Sequence, residues 1–519
     1  MERMVPFSSL GAFEPVADCS ELRRLSIRGA AVTISAAALS LIFRVGGTVV
    51  LARLLTPGDF GVVTMVTTFS LLLVSVGLNG FTEAVIQSED LDRYTASNLF
   101  WINAGAGLLL ATGFAAGGSL LATFYKNTLV TNVAIGVSGT IFIQSASCIH
   151  LALLKRAMRF AAISANELVA LAVYSVVSIA LAIAGFGYWS LVVALIANAF
   201  SLVIGAWYLC RWVPSTPRRD GKTATIIRFA AKVYGQFGVA YCQQNIDNLI
   251  VGWRFNTIEL GLYKKAYDLF ALSASQLTAP VNDVAFATLS RLNQDQDRFR
   301  RYLANSLGMV ALIGMAASAE LTLVGRHVVR LLLGAKWARS GEIFEMFAPG
   351  IGAMLLCSAI GWIHLPLGRP GRWLRWNLIA FVLTVVLFII ALPWGSAAIA
   401  AAWSGSYWIL IIPGFWYAGR PIGFGIEDFV NATWRYPAAA LLAGLTTAWI
   451  IRPTSLWPTP LTTGAAVVAI LSISTVLGVL YVCAVILLHW GLAPIRQLTG
   501  LLMELAPVRK RAKQASQPA

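Results

Sequence analysis

The sequence has little charge for its length. Only 12% of its 519 residues are charged, whereas 58% are hydrophobic. The mean hydropathy is +0.74. A soluble domain usually carries about a quarter of its residues as charges. The composition therefore excludes an ordinary soluble globular protein and places the chain among membrane proteins.

The sequence also lacks the usual signatures of metal sites and enzymes. Its six cysteines form no CxxC pair, and its four histidines are isolated from one another. No outer connector carries a nucleophile beside a base, a phosphate-binding loop or paired carboxylates, so we predict no metal, catalytic residue or organic cofactor. The net charge of +16 comes from short basic connectors rather than one basic stripe, which argues against nucleic acid as a partner.

Apolar segments long enough to cross about 30 Å of hydrocarbon recur along the whole chain. They predict an all-α polytopic membrane protein with about fourteen transmembrane helices. The predicted spans are 30–51, 60–85, 98–125, 129–153, 161–183, 189–210, 229–253, 260–289, 303–324, 343–365, 376–392, 396–417, 437–450 and 463–489. The first segment is too long and too interrupted to be a cleaved signal, so we expect it to be retained as a helix.

Basic residues are distributed unevenly between the predicted connectors. With the N-terminus in the cytoplasm, 27 of the 39 Lys and Arg residues fall on the cytoplasmic side, 8 fall outside and four lie within spans. This excess sets the orientation, because cytoplasmic connectors are enriched in Lys and Arg. An even number of spans returns the basic tail to the cytoplasm, so both termini are predicted to be cytoplasmic.

The two halves of the chain contain a short repeat. Residues 51–70 and 251–270 align without gaps at an offset of 200, which matches Gly61 with Gly261. Two copies in the same orientation, six spans apart, imply two pseudo-symmetric six-helix lobes and two additional C-terminal helices. The predicted domains are a cytoplasmic segment at 1–25, an N-lobe at 26–212, a cytoplasmic linker at 213–228, a C-lobe at 229–420, the last two spans at 421–492 and a basic tail at 493–519.

Arg44 is the clearest charge at bilayer depth. It lies nine residues before Arg53, which is ~13 Å along a helix, in an otherwise uncharged segment. A charge at this depth costs several kcal/mol unless it faces protein or water. Arg44 therefore either snorkels to the surface or points into a central cavity, where it would attract an anion.

The seventh span is too polar to face lipid. Six of its polar side chains are Tyr241, Gln243, Gln244, Asn245, Asp247 and Asn248. We expect this span to line water or protein. Asp247 lies two helical turns before Arg254, and it either forms a structural ion pair with that residue or takes part in transport.

The eighth span repeats this pattern with two lysines and an acid, in which Lys264 and Asp268 have the i,i+4 spacing of an ion pair. The predicted substrate-binding residues are Arg44, Gln243, Gln244, Asp247, Lys264 and Lys265. The candidates for coupling to H⁺ or Na⁺ are the embedded acids Asp247, Asp268, Asp283 and Glu83. Structural caps or local ion pairs are the alternative for these acids.

Three stretches of the sequence resemble a transporter family. They are VVLARLLTPGDFGVVTMVTTF at 49–69, NIDNLIVGWRFNTIELGLYKKAYDL at 245–269 and FATLSRLNQDQDRFRRYL at 286–303. They resemble the Wzx-type polysaccharide-transport flippases of the multidrug/oligosaccharidyl-lipid/polysaccharide (MOP) superfamily. The resemblance covers 26–420 well and the last two spans weakly.

This resemblance implies a flippase that moves undecaprenyl-pyrophosphate-linked oligosaccharide repeat units across the bacterial inner membrane by alternating access. The products would be exopolysaccharide or lipopolysaccharide. It implies a cationic cavity bordered by the first, second, seventh and eighth helices, on which Arg44 and Asp247 lie. This chain departs from the family in having few embedded cations. Implied partners are the lipid-linked oligosaccharide, membrane lipid, a polysaccharide polymerase and a chain-length regulator.

Three other functions are consistent with the sequence. A multidrug/cation antiporter or a lipid II flippase of the same superfamily would have a similar fold, although an antiporter favours acids over arginine in its cavity. A membrane polysaccharide polymerase or glycosyltransferase usually has a large outer loop or an acidic motif in the first outer connector. Here that connector is only RLLTPGDFG.

Overall fold

A computed structural model describes residues 4–8, 11, 13, 19–88, 91–218, 221–453 and 463–497. All regular elements within these ranges are helices. The α-helices are α1 (Cys19–Leu54), α2 (Pro57–Gln87), α3 (Arg93–Ala116), α4 (Gly118–Tyr125), α5 (Leu129–Ser145), α6 (Cys148–Arg156), α7 (Phe160–Ile183), α8 (Trp189–Leu209), α9 (Gly221–Arg254), α10 (Thr257–Arg291), α11 (Gln296–Leu333), α12 (Ala338–Phe347), α13 (Gly350–Ser358), α14 (Gly361–His364), α15 (Pro370–Ala391), α16 (Ser396–Gly419), α17 (Ile426–Thr433), α18 (Arg435–Ile451) and α19 (Thr463–His489). Three short 3₁₀ helices are Ala335–Trp337, Leu392–Trp394 and Arg420–Ile422.

The helices account for the predicted spans. Within the described ranges, 10 helical segments are long and apolar enough to cross a membrane, and the bent pair Ala335–Phe347 and Gly350–His364 makes an eleventh if it is one span. The other three predicted spans correspond to α9 and α10, which are long but more polar, and to α18, which has 17 residues. The all-α polytopic class is confirmed, and the number fourteen stays a prediction.

The helix boundaries keep the offset of the sequence repeat. α1 ends at Leu54 and α9 ends at Arg254, while α2 begins at Pro57 and α10 begins at Thr257. Both copies of the repeat therefore consist of a helix end, a tight turn and a helix start. Equivalent residues in the two copies occupy equivalent positions in these helices.

Each of these turns also contains a polar helix cap. At the start of α2, the Thr56 N–H donates to Asp59 Oδ2 at 2.9 Å and the Asp59 N–H donates to Thr56 Oγ1 at 3.3 Å. At the start of α10, the Glu259 N–H donates to Asn256 Oδ1 at 2.8 Å. The caps satisfy backbone donors that the first helical turn leaves unpaired. Only two residues, 55–56 and 255–256, separate the helices at these places.

The chain forms two compact units, residues 1–264 and 265–519. In the first unit, α2 packs against α5, α6 and α9, and α7 packs against α1 and α8. In the second unit, α11 packs against α12, α13, α18 and α19, and α16 packs against α13 and α15. α9 thus has its contacts in the first unit, although the sequence assigns it to the C-lobe. The predicted boundaries of the lobes stay a prediction.

The N-terminal segment packs at one end of the first unit. The Met4 N–H donates to the Leu209 carbonyl at 2.9 Å, and the Arg211 N–H donates to the Met4 carbonyl at 2.8 Å. The Arg93 N–H donates to the Gly11 carbonyl at 2.9 Å. These contacts join the N-terminus to two connectors that the sequence predicts to be cytoplasmic, which agrees with the predicted topology.

The last two helices pack on α11 through apolar and polar contacts. Ile451 of α18 and Ile473 of α19 cluster with Val324 of α11. The Tyr481 hydroxyl donates to the Leu312 carbonyl at 2.8 Å. The Ser474 hydroxyl donates to the carboxylate of Glu320. An acid within a span thereby has a hydroxyl donor, which offsets part of the cost of removing it from water.

Candidate functional site

Part of the polar face of α9 packs against protein. The Tyr241 hydroxyl donates to the Thr68 carbonyl of α2 at 2.9 Å. The Asn245 amide donates to the Tyr241 carbonyl at 3.1 Å within α9. The Thr68 hydroxyl itself donates to the Thr64 carbonyl at 2.8 Å within α2. The hydrogen bond between Tyr241 and Thr68 agrees with the expectation that this span does not face lipid.

Asp247 lies at the centre of this polar face and is 1% exposed. Its Oδ2 accepts a hydrogen bond from the Tyr263 hydroxyl at 2.9 Å, and its Oδ1 accepts from the Asn248 N–H at 2.8 Å. The predicted alternative of an ion pair with Arg254 is wrong. Arg254 is exposed and its guanidinium lies over the Phe255 ring, 5.8 Å from the centroid. The two-turn spacing allowed the pair, but Arg254 at the helix end extends to the surface instead.

Two further buried polar atoms belong to Asn248, which follows Asp247, and to Tyr125 of α4. Asn248 Oδ1 and the Tyr125 hydroxyl have no hydrogen-bond partner among the described residues. Tyr125 packs on Gly252, one turn beyond Asn248, where an added Cβ would lie 2.8 Å from the tyrosine ring. The Asp247 carboxylate and the Asn248 amide therefore place buried oxygens on neighbouring residues. Such oxygens suit a proton or a hard cation such as Na⁺.

The three charged candidates of α10 differ in their surroundings. Lys264 is half-buried in the first unit and attracts the Asp247 carboxylate electrostatically. Lys265 is 9% exposed and forms an ion pair with Asp268, with 3.5 Å between Nζ and Oδ2. The sequence suggested the i,i+4 pair of Lys264 and Asp268; in the second unit the observed pair has i,i+3 spacing. Both spacings place side chains on one helix face.

Arg44 is exposed and makes no hydrogen bond or ion pair with the described part of the chain. It lies seven residues before the buried Leu51, which places both on one face of α1. The exposed apolar stripe of α1 includes Ile42 and Val50. Ile42 precedes Arg44 by two residues, so it points to roughly the opposite face. Arg44 therefore lies on the face of α1 that is buried against protein at Leu51. It does not lie on the exposed apolar stripe.

The remaining candidates lie in different places. Gln243 is half-buried and Gln244 is exposed on α9. Glu83 is half-buried and lies 26 residues beyond Pro57, which is ~39 Å from the start of α2. Asp247 lies only ~10 Å before the end of α9. Because the end of α9 lies beside the start of α2, Glu83 and Asp247 belong to opposite ends of this helix pair. The side chain of Asp283 lies outside the described residues.

The matched glycines of the repeat bring the starts of α2 and α10 into backbone contact. A Cβ added to Gly61 would lie 1.7 Å from the Thr257 carbonyl oxygen, and one added to Gly261 would lie 1.8 Å from the Pro57 carbonyl oxygen. The contact is reciprocal, as expected for two copies related by a pseudo-two-fold axis. Only glycine permits so close an approach. This contact lies at the predicted outer end of the helices.

Sequence reasoning did not identify Tyr263 as the hydrogen-bond partner of Asp247, or Tyr125 as the ring that packs on Gly252 of α9. Tyr263 lies sixteen residues after Asp247, across a turn between two helices, so no helical spacing connects the two. Tyr125 belongs to α4, far away in sequence. The glycine contact had a signal, because the repeat alignment already matched Gly61 with Gly261.

Sequence comparison identifies relatives of this chain. The family model described as polysaccharide biosynthesis protein matches residues 50–342. The succinoglycan biosynthesis transport protein ExoT of Rhizobium meliloti (strain 1021) is 22% identical over 354 residues, which cover 68% of this chain and 72% of that protein. The lipopolysaccharide biosynthesis protein WzxC of Escherichia coli (strain K12) is 21% identical over 329 residues, which cover 61% of this chain and 65% of that protein.

Solved structures with the same fold are membrane transporters. The lipid II flippase MurJ in an inward closed conformation matches with a TM-score of 0.70 and 13% identity over 89% of this chain and 99% of that chain. An inward-facing multidrug resistance MATE family transporter of the MOP superfamily matches with a TM-score of 0.57 and 13% identity over 76% of this chain and 99% of that chain. One of these relatives is named as a transport protein, and none of the reported relatives or structures is named as an enzyme. The predicted resemblance is confirmed: this multi-pass membrane protein belongs to the polysaccharide biosynthesis protein family and has the fold of the MOP superfamily.

Proposed function

We propose that this protein is a flippase that moves an undecaprenyl-pyrophosphate-linked oligosaccharide repeat unit across the bacterial inner membrane, from the cytoplasmic to the periplasmic leaflet. Family membership supports this, as do relatives named for succinoglycan transport and lipopolysaccharide biosynthesis. The repeat supports alternating access, because two related halves can rock against each other. Both termini would lie in the cytoplasm.

Arg44 is the observation that carries the proposal. Its guanidinium is exposed and unpaired within the described residues, yet it shares a helix face with the buried Leu51. A pyrophosphate group needs cationic hydrogen-bond donors where the dielectric constant is low, and arginine binds phosphate through two parallel N–H donors. Arg44 would therefore hold the pyrophosphate. The polyprenyl tail would stay in the bilayer, because burying it in protein gains nothing over lipid.

Other candidates would have supporting roles in the same proposal. Lys264 would add positive charge for the pyrophosphate, while the buried Lys265 would act mainly through its ion pair with Asp268. Gln243 and Gln244 each offer two donors and one acceptor, which suit sugar hydroxyls. These assignments give the site a charged part for the head group and an uncharged part for the glycan.

Asp247 is our proposed site for the coupling ion, H⁺ or Na⁺. Its carboxylate is buried and hydrogen-bonded to Tyr263 and Asn248. The unpaired Asn248 Oδ1 would provide a further oxygen ligand for Na⁺. Asp268 is engaged with Lys265 and is a weaker candidate. Glu83 and Asp283 remain candidates at a different depth of the membrane.

The alternatives differ in the chemistry of their substrates. A lipid II flippase carries the same type of lipid pyrophosphate, so only the glycan distinguishes it from our proposal. A multidrug/cation antiporter needs an accessible acid, whereas the central Asp247 is buried against Tyr263. A polymerase would act on glycan that has already crossed the membrane. In our proposal the polymerase and the chain-length regulator are separate partners that use the flipped repeat unit.

Deletion of the gene in its natural host distinguishes these functions. We expect loss of exported polysaccharide and accumulation of the lipid-linked repeat unit in the cytoplasmic leaflet, with peptidoglycan synthesis unchanged. A block in peptidoglycan synthesis would indicate a lipid II flippase instead. Increased sensitivity to cationic drugs would indicate an antiporter. Flipped but unpolymerised repeat units in the periplasmic leaflet would indicate a polymerase.

A further inference from the structure

A polar cavity of about 650 Å³ lies in the second compact unit. One wall is the first three turns of α11, a second wall is α17 with the start of α18, and Gln497 beyond α19 contributes to its rim. The predicted topology places all three segments at the cytoplasmic face. Its volume is within the range of roughly 300–1,000 Å³ typical of small-molecule sites.

The charged groups of the cavity balance one another. Arg300 donates to Asp297 at 2.5 Å and to the Gly423 carbonyl at 3.3 Å, and Arg301 Nε donates to the Asp297 carbonyl at 3.3 Å. The fourth charge is Asp428, whose carboxylate accepts from the Gly425 N–H. Two arginines thus face two aspartates. A phosphate or another anion would meet two carboxylates as well as two cations, so the cavity does not favour an anion.

Uncharged hydrogen-bonding groups are the other main feature of the lining. Asn305, Asn431 and Gln497 are exposed in the cavity and make no hydrogen bond with the described residues. Each amide offers one acceptor and two donors. Adjacent hydroxyls of a hexose also both donate and accept, so one amide can bond two of them. Phe424 and Tyr436 also line the cavity, although both side chains are largely buried.

From these features we propose that the cavity binds neutral hexose residues. The inference rests on the proposed function, in which a lipid-linked oligosaccharide reaches the protein from the cytoplasmic side. The cavity would hold sugars of that oligosaccharide before translocation. It would also give the last two helices a role, because α18 and the segment after α19 form part of its wall.

Saturation-transfer NMR on the purified full-length protein in lipid nanodiscs tests the inference directly. The probes are methyl α-glucoside, methyl β-galactoside and methyl α-mannoside, each with and without inorganic pyrophosphate. The variants are Asn305→Ala, Asn431→Ala and the double variant. Asn293→Ala is the control, because it removes an exposed amide that lies outside the cavity and donates to the Pro366 carbonyl at 3.5 Å. Thermal unfolding checks that all variants are folded.

We expect at least one hexoside to bind the wild type and the control equally. Each single variant should weaken binding about fivefold, as expected for one lost hydrogen-bonding group, and the double variant should weaken it further. Pyrophosphate should not displace the hexoside. Absence of hexoside binding would overturn the proposal, as would binding that the double variant leaves unchanged. Displacement by pyrophosphate that is lost in Arg301→Ala would show an anion site instead. The assay needs no transport, so its failure would leave the flippase proposal intact.

Discussion

Gly61 and Gly261 occupy matching positions in the two copies of the repeat, and each packs against the backbone of the other copy. The added Cβ distances of 1.7 and 1.8 Å to opposing carbonyl oxygens show that neither position tolerates a side chain in this conformation. The starts of α2 and α10, which are predicted to lie at the outer side, are therefore closed against each other. In an alternating-access cycle, this contact has to open to release substrate outside.

Gly61→Ala should disfavour this closed contact. Its methyl group would overlap the Thr257 carbonyl, and overpacking of this kind costs about 1–3 kcal/mol. The measurement is disulfide formation between cysteines placed at Gly58 and Ile258, where a Cβ on residue 58 lies 3.6 Å from Ile258 Cγ1. We expect crosslinking to fall at least several-fold with Gly61→Ala. Gly46→Ala is the control, since nothing lies within 4 Å of its added Cβ. Equal crosslinking in both variants would contradict a role of Gly61 in the closed contact between α2 and α10.

Tyr263→Phe should destabilise the protein by leaving the buried Asp247 without its hydroxyl donor. A hydrogen bond to a charged group contributes about 1.5–3 kcal/mol. Thermal unfolding of the purified protein measures the loss. Tyr302→Phe is the matched control, because its hydroxyl has no hydrogen-bond partner among the described residues. Equal melting temperatures for the two variants would remove Tyr263 from the support of Asp247.

Glu320 and Ser474 should be energetically coupled, because their hydrogen bond joins α11 to the last helix. A double-mutant cycle with Glu320→Gln and Ser474→Ala should give a coupling energy of about 0.6–1.7 kcal/mol, the range of side-chain hydrogen bonds within membranes. Thr475→Ala replaces Ser474→Ala in the control cycle, since Thr475 bonds only within α19, to the Leu471 carbonyl at 2.7 Å. Comparable coupling energy in the control cycle would show that the hydrogen bond between Glu320 and Ser474 does not couple α11 to α19.

Alkaline phosphatase fusions test the predicted topology. A fusion after Pro214 should be inactive, because the connector after the sixth predicted span carries five of the cytoplasmic Lys and Arg residues. A fusion after Trp337 should be active, because that connector is predicted to lie outside. Activity at Pro214 and none at Trp337 would invert the orientation, and with it the cytoplasmic placement of the hexose cavity.

Much of the fold could be predicted from hydropathy, because a span must satisfy its backbone internally and therefore leaves a long apolar run in the sequence. The sequence repeat alone already matches Gly61 with Gly261. The polar face of α9 was predictable for the same reason, since lipid does not tolerate it. The residues that bond to this polar face were not predictable from the sequence. Asp247 uses Tyr263 across a turn rather than Arg254 on its own helix, and no periodicity reports such a contact.

The cavity near α17 was also beyond sequence reasoning. Its amides come from three segments separated by more than sixty residues, and each amide alone looks like an ordinary exposed side chain. α17 has only eight residues, but its position beside α11 creates the cavity.

The most direct test of the account is translocation by the purified protein in liposomes. The substrate is the undecaprenyl-pyrophosphate-linked oligosaccharide extracted from the host, and its exposure to an added glycosidase reports flipping. We predict flipping by the wild type and by Arg254→Ala, a control that removes an exposed arginine without a substrate role. Arg44→Ala should fall to the rate of protein-free liposomes, and Arg44→Lys should keep only part of the activity, because lysine cannot bind phosphate through two fixed donors. Wild-type flipping by Arg44→Ala would contradict the central role of this residue.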